Sequence, residues 1–424
     1  MNLDGWDTCS IVSIDLVNAA LARAGDRVIR TFSYAEDGLE VSGTFGAWAL
    51  QPGGTYRLVN VTMPITTGEI REAGIGALDI SGAVLTAQLK LGMIDSDDPT
   101  KRNLAFDTRH GEGGDGPAPI QVIGIEDPSG RLGALDLDMV KAALTACLSR
   151  HAAQASFVFA SVDARSTSQS AGLACPANDW AFVDAGAGRQ YLAILGSLDT
   201  TRAGEPIRIG PELMAPAAGA YFAVSNRLFL ERALQPIIAQ SFKPRTPFKV
   251  KGNSVQSTRA VSLGKKKAGM FDVEPILRQV TVTPVKGALI VHAKAHADLP
   301  LWTKLELSVD MTLPFQHDPK TGAMSFKPDP HPVVKHKVNK SGVIGNTLGL
   351  IVELIVTLTK KPILASVAGI AKGMQAVANP TSKPVVWNGV RDFHAGMARW
   401  DNGLWLGDNR PVVPARVRQD HEFA

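Results

Sequence analysis

The sequence predicts an α+β protein of two related halves, each an antiparallel sheet whose apolar face is covered by helices. Runs of strand character punctuated by Gly, Pro and Asp-Gly turns fill 27–91 and again 248–312. A helix-like segment precedes each run and another follows it. Such a sheet has one apolar face to bury, and a long helix lying in a strongly curved sheet buries it. The halves are drawn at 1–205 and 206–424.

Taken in order, the first half opens on MNLDGWDTCSIVSIDLVNAALARAG. Ile11, Ile14, Val17 and Leu21 recur at three- and four-residue steps, one buried stripe of a helix starting at Ser10. Asp4 and Asp7 stand where an export signal would carry its basic front, so the segment is expected to be packed rather than cleaved. Strands are expected at 27–34, 41–49, 56–63 and 84–91, with turns at Asp37-Gly38, Pro52-Gly53-Gly54 and Thr67-Gly68. After the Gly-rich loop 108–117 come a strand at 120–125, a helix from Leu135 to about His151, and strands at 157–162 and 191–198.

The second half begins with a helix over 223–238, with Leu230, Leu234, Ile237 and Ile238 on one face and a kink at Pro236. Strands follow at 248–250, 279–283, 288–295 and 305–312. The apolar run 343–358 is shorter than the roughly 20 residues a spanning helix needs and holds Asn346 and Glu353, so it reads as a buried helix rather than a membrane span. Lys360-Lys361-Pro362 is expected to break it before a second helix over 363–378.

With 45% hydrophobic and 20% charged residues, the 424-residue chain has apolar content for sizeable cores. Its net charge of +4 hides an asymmetry: 1–200 hold 14 Lys+Arg against 24 Asp+Glu (−10), and 201–424 hold 30 against 16 (+14). Such a split suggests halves that meet different surroundings, or each other, and it equally fits two solvated faces of unlike sign. Cys9, Cys147 and Cys175 are odd in number and lack metal-ligand spacing, which argues against disulfides and zinc and for buried thiols.

No GxSxG, HExxH or GxxxxGK[ST] occurs, and no cofactor or enzymatic activity is expected. Arg109-His110-Gly111 has the letters of a phosphohistidine motif, but it opens a Gly-rich loop instead of ending the first strand of an α/β domain. His292-Ala293-Lys294-Ala295-His296 puts two imidazoles and a cation on one strand face; the cation repels a metal, so these read as surface histidines, and His331 and His336 read as loop or strand-edge residues. The most suggestive polar feature is 243–267, where Lys243, Arg245, Lys249, Lys251, Arg259, Lys265, Lys266 and Lys267 are accompanied by no acid. A surface of this kind attracts anionic lipid headgroups, and the run equally reads as a solvated hairpin. Without a reader motif or aromatic platform, nucleic acid is not the expected partner.

Gly5-Trp6-Asp7 ahead of an amphipathic segment, SGTFGAWALQPGG at 42–54, MPITTG at 63–68 and FAVSNRLFLERALQPI at 222–237 together resemble the forty-seven-kilodalton/OrfX family, whose genes lie beside those of clostridial neurotoxins and which has relatives in other bacteria. The Val386–Gly389 and Leu404–Gly407 stretches of the tail fit the same resemblance. It implies a tubular lipid-binding (TULIP) fold, related to that of bactericidal/permeability-increasing protein, in which a curved antiparallel sheet wraps a long helix. On that implication the first helix is a rod laid into the first sheet, with Trp6 buried at its entry.

The function expected is therefore non-enzymatic binding of lipid or membrane, with a phospholipid or fatty acid as ligand. The cations of 243–267 are candidates for headgroups, and Leu228, Leu230, Leu234 and Ile237 for an apolar lining; these four, with the 348–356 face, could equally fill the core. The alternative is an accessory scaffold with a filled core that binds a protein partner, as in a toxin complex. Lacking a signal peptide, the protein is expected in the cytoplasm as synthesised, with release by a route that needs no cleaved signal left open.

Overall fold

The computed structural model describes residue 3 and residues 5–408, apart from 37, 54–56, 73–75, 109–119, 164–174, 185, 187–188, 200–218, 243–246, 269–270, 300–302, 328, 330, 340–348, 350, 364, 366–368, 370–384, 391–392, 394 and 402. Among the described residues the architecture is mostly β: three antiparallel sheets of six, ten and eight strands and a two-stranded ribbon, with few and short helices. Of the α-helices, Ala134–Arg150 has 17 residues and Ile14–Ala22 has nine. Among the described residues the helices are short where long ones were expected inside each sheet, and most of the expected second helix over 363–378 lies outside the described residues.

The six-stranded sheet joins the two halves. At its centre Thr8–Ser13 lies antiparallel to Ala220–Ser225, with Ser10 opposite Phe222. Each strand runs straight into a helix through a serine cap: Ser13 Oγ accepts from Leu16 N, and Ser225 Oγ from Leu228 N. The backbone is reciprocal as well, since Ser13 N donates to Gly219 O at 2.7 Å and Ser225 N donates to Asp7 O at 2.8 Å. Two copies of one strand–serine–helix unit therefore face each other about a local two-fold.

Here the structure corrects the expected helices. Ile11 belongs to the strand Thr8–Ser13, the first helix starts at Ile14, and Ala223, Val224 and Ser225 end a strand rather than begin a helix. All six residues of Thr8–Ser13 are buried, so no polar alternation marks the strand, and its apolar positions run on into the helical stripe. Pro236 is near the start of the helix Gln235–Ser241, directly after a π-helical stretch Phe229–Leu234. The widened turn suits a proline that cannot donate back to the preceding turn.

One face of the central sheet feeds two cores. Val12, Leu192 and Ile194 join a cluster with Val17, Leu21, Leu85, Leu144 and Phe159, while Phe222, Val224 and Leu406 join one with Leu228, Leu234, Val291, Leu307 and Ile355. The other face carries Cys9, Ile11, Ala193, Tyr221 and Trp405, covered by Leu3 and Trp6. Trp6 is 2% exposed, as its place ahead of the first element suggested.

The first core lies against the ten-stranded sheet, built from Thr31–Glu36 through Val158–Asp163 and closed by Val385–Trp387 from far along the chain. Trp387 is buried in that core, and its indole Nε1 donates to Ser10 Oγ at 2.9 Å. The cores thus do not divide at one point in sequence, because the tail returns to the first.

In the second half Ile276–Val285, Ala288–Leu299 and Thr303–His317 form an antiparallel meander, with Val333–Val338 added beside the last. The expected break at Lys360-Lys361-Pro362 is absent, for residues 351–363 are one helix. Ile351, Ile355 and Ile363 share a face buried in the second core. Burying each is worth about 1.5–3 kcal/mol, which together outweighs the ~3 kcal/mol cost of an interior proline. No described helix is long and apolar enough to cross a membrane.

Candidate functional site

Of the eight cations in 243–267, Lys243 and Arg245 lie outside the described residues. Lys249 and Lys251 are exposed on Phe248–Lys251, alternating with buried Phe248 and half-buried Val250. Among the described residues that strand pairs only with Ser254–Ser257, at the edge of the eight-stranded sheet. Arg259 is exposed in the following turn, and Lys265, Lys266 and Lys267 are exposed at the ribbon formed with Phe271–Val273, where Lys267 faces Asp272 in the register. The run is therefore shared between two elements.

The four apolar candidates stand together. Leu228, Leu230 and Leu234 are buried in the second core, and Ile237 packs against it partly buried. A cavity of about 40 Å³ lies elsewhere, between Ser10, Tyr221, Phe222, Trp387 and Phe393 at the seam of the halves. Arg109 and His110 fall outside the described residues. Among the described residues no group of three or more His, Cys, Asp or Glu is placed to hold a metal ion.

On the outer face of the meander lies a grouping that sequence reading did not assemble. Alternation sends Val291, Ala293 and Ala295 into the core and leaves Ile290, His292, Lys294 and His296 outward. Antiparallel register sets His296 opposite Glu306 and Lys294 opposite Ser308, and on the next strand Glu306 opposite Lys337 and Ser308 opposite Lys335. Cross-strand neighbours of this kind have Cβ atoms about 5 Å apart. Two segments remote in sequence, HAKAH and KHK, thereby meet in one surface.

A cleft of about 370 Å³ opens there, lined by Arg278, Lys294, His296, Glu306, Ser308 and Lys335 with Lys337 and His336 at its side. Arg278 reaches it because the register between Ile276–Val285 and Ala288–Leu299 shifts between Leu277 and Gln279, leaving Arg278 as the extra residue of a bulge. Its Nε donates to His296 Nδ1 at 3.0 Å, which places the imidazole proton on Nε2 when the ring is neutral. Beyond the cleft, His292 Nδ1 meets Asp310 Oδ1 at 2.5 Å. Both imidazoles of HAKAH thus lie on the outer face as read, but each is half-buried and engaged.

Four cations and one carboxylate line the cleft, and among the described residues none of the five is in an ion pair. Val333 and Ile290, on the same face, are 56% and 39% exposed. Spare positive charge beside exposed aliphatic groups is an arrangement that holds an anionic, partly apolar surface. Lys294 and Lys335 were legible as cations in the sequence, but only strand register shows that they flank one serine.

Comparison with known proteins gives three results. The OrfX-like family model, described as Protein OrfX2/OrfX3/P47, matches residues 3–377. No curated protein matches the sequence. Among solved structures, P47 from Clostridium botulinum A2 superposes with a TM-score of 0.75 at 17% identity, covering 97% of this chain and 98% of that one. P47 of Clostridium botulinum E1 gives 0.74 at 16%, covering 96% and 99%. A lipopolysaccharide binding protein aligns over 96% and 100% at 11% identity with a TM-score of 0.33, below the level at which a shared fold follows.

Proposed function

The chain belongs to the OrfX-like family, and from that premise we propose that it is a non-enzymatic protein that binds lipid at an anionic membrane surface through the outer face of its second half. The observation that carries the reading is the set of four cations around the cleft, none in an ion pair among the described residues, on the same face as exposed Ile290 and Val333. Lys249, Lys251 and Lys265–Lys267 extend the positive charge of the same half, and the acidic first half would be held off such a surface. The apolar candidates Leu228, Leu230 and Leu234 are packed, so the reading rests on surface contact and not on an acyl chain threaded through the core.

Co-sedimentation with vesicles tests it. Retention is expected on phosphatidylcholine vesicles doped with phosphatidylglycerol, absent on phosphatidylcholine alone, and falling as salt is raised. Each of Lys294→Glu, Lys335→Glu and Lys337→Glu should weaken binding by at least about fivefold, from about 1 kcal/mol per cation near the surface. Equal retention on both vesicles, or none on either, would overturn the reading and turn attention to a scaffold for a protein partner.

A further inference from the structure

We propose that the cleft is a recognition site for a phosphate monoester, seated between Lys294 and Lys335 on the hydroxyl of Ser308. This inference rests on the surface-binding reading for the source of the ligand, but not for the chemistry of the site. In the register, Lys294, Ser308 and Lys335 form a row across three adjacent strands. Two strand spacings place the lysine stems about 10 Å apart, wide enough to bracket one phosphate while both ammonium groups reach it. Among the described residues the Ser308 hydroxyl has no hydrogen-bond partner, and neither lysine has an ion-pair partner.

The neighbouring row fixes where the charge must sit. Glu306 stands between His296 and Lys337, and it repels an anion spread evenly over the cleft. A compact anion avoids it by gathering at the serine row, on which Arg278 converges from the bulge. The bond from Arg278 Nε to His296 holds the guanidinium at the cleft and leaves its terminal nitrogens as donors. A phosphate monoester brings a charge of about −1.5 to −2 and three terminal oxygens to these donors. A diester offers a single charge and two oxygens, so it fills the site less well. The volume of about 370 Å³ suits a headgroup or a small phosphorylated molecule, not an acyl chain.

The full chain is tested on phosphatidylcholine vesicles carrying either phosphatidic acid, a monoester headgroup, or phosphatidylglycerol, a diester, at matched surface charge. A soluble arm titrates glycerol 3-phosphate by calorimetry. Tighter binding to phosphatidic acid is expected, and Ser308→Ala, which leaves the net charge unchanged, should remove about tenfold of it while phosphatidylglycerol retention stays the same. Lys335→Met should abolish the preference, and Lys249→Met, at the far edge of the sheet, should leave it intact. Equal binding to both vesicles, or a preference untouched by Ser308→Ala and Lys335→Met, overturns the site while the surface reading stands. Glycerol 3-phosphate binding that is sensitive to Ser308→Ala, without retention on any vesicle, supports the site and overturns the surface reading. Failure in every arm overturns both.

Discussion

Arg227 grips the buried carboxylate of Asp7 with two nitrogens across the seam between the halves: Nε donates to Oδ1 at 2.9 Å and Nη2 to Oδ2, while Nη1 reaches Asp199 at 2.8 Å. Ser225 Oγ and Leu198 N also donate to Asp7, at 3.0 and 2.9 Å. Asp7 is 1% exposed, so its charge is tolerated only because these donors surround it. One carboxylate thereby ties together the strand start, the second-half helix and the segment after Ser197.

Acid should loosen this tie. Burial alone pushes the Asp7 carboxyl up, but the bonds from Arg227, Leu198 and Ser225 together outweigh it and hold the group below its ordinary value of 3.8. A carboxyl depressed in the folded state stabilises above its unfolded pKa, and that contribution is lost as pH falls through the folded value. Denaturation midpoints measured against pH should show the gap between the native protein and Asp7→Asn closing below about pH 4. A gap constant down to that pH would contradict the geometry.

Removing the cation is expected to hurt more than neutralising the acid. Arg227→Met leaves the Asp7 carboxylate buried without its counter-charge, at about 3 kcal/mol, near the low end of the range because Arg227 is itself 40% exposed. Asp7→Asn turns an amide NH2 toward groups that donate, but it leaves no buried charge without its partner and should cost less. Urea titrations of the two variants give the order.

Gly196 leaves no room for a side chain. A Cβ there would overlap Thr8 Oγ1 and lie 2.8 Å from Cys175 Cβ, both of them buried residues. Gly196→Ala should therefore destabilise by about 1–3 kcal/mol, read as a lowered Tm. The double variant with Thr8→Ser still meets the hydroxyl, and Thr8→Ala should rescue only in part because Cys175 Cβ remains in the way.

Trp387 is a strong test of the tail's return to the first core. Trp387→Ala should cost about 3–5 kcal/mol, and Trp387→Phe only about 1 kcal/mol for the lost bond to Ser10 and some packing. Thermal unfolding followed by near-ultraviolet circular dichroism would separate the two.

The three thiols are buried and should not react with Ellman's reagent until the protein is unfolded. Burial pushes Cys175 up to about 11 and raises Cys9 and Cys147 as well. Rapid labelling of any thiol in the native protein would show that its cover opens.

What the sequence disclosed depended on how each residue is covered. Strands with one wet face, such as Val84–Asp95 and Ala288–Leu299, alternate and were legible, as was the helix Ala134–Arg150. The strands Thr8–Ser13 and Ala220–Ser225, buried on nearly every side chain, carry no alternation and merged with the helices that follow them. Lys294 and Lys335 were equally opaque as a pair, because what joins them is the register through Ser308, 14 positions from one and 27 from the other. A cation run is visible in one dimension, whereas a cation row across strands is not.

The closing strand Val385–Trp387 also sets a timetable for the ribosome. Its partner Val158–Asp163 is made first, and residues 164–384 must be translated before the two can meet. At ordinary elongation rates that interval lasts about 10–45 s. Throughout it the newborn first half presents an open strand edge, so the yield of native protein becomes a race between translation and the association of unfinished chains.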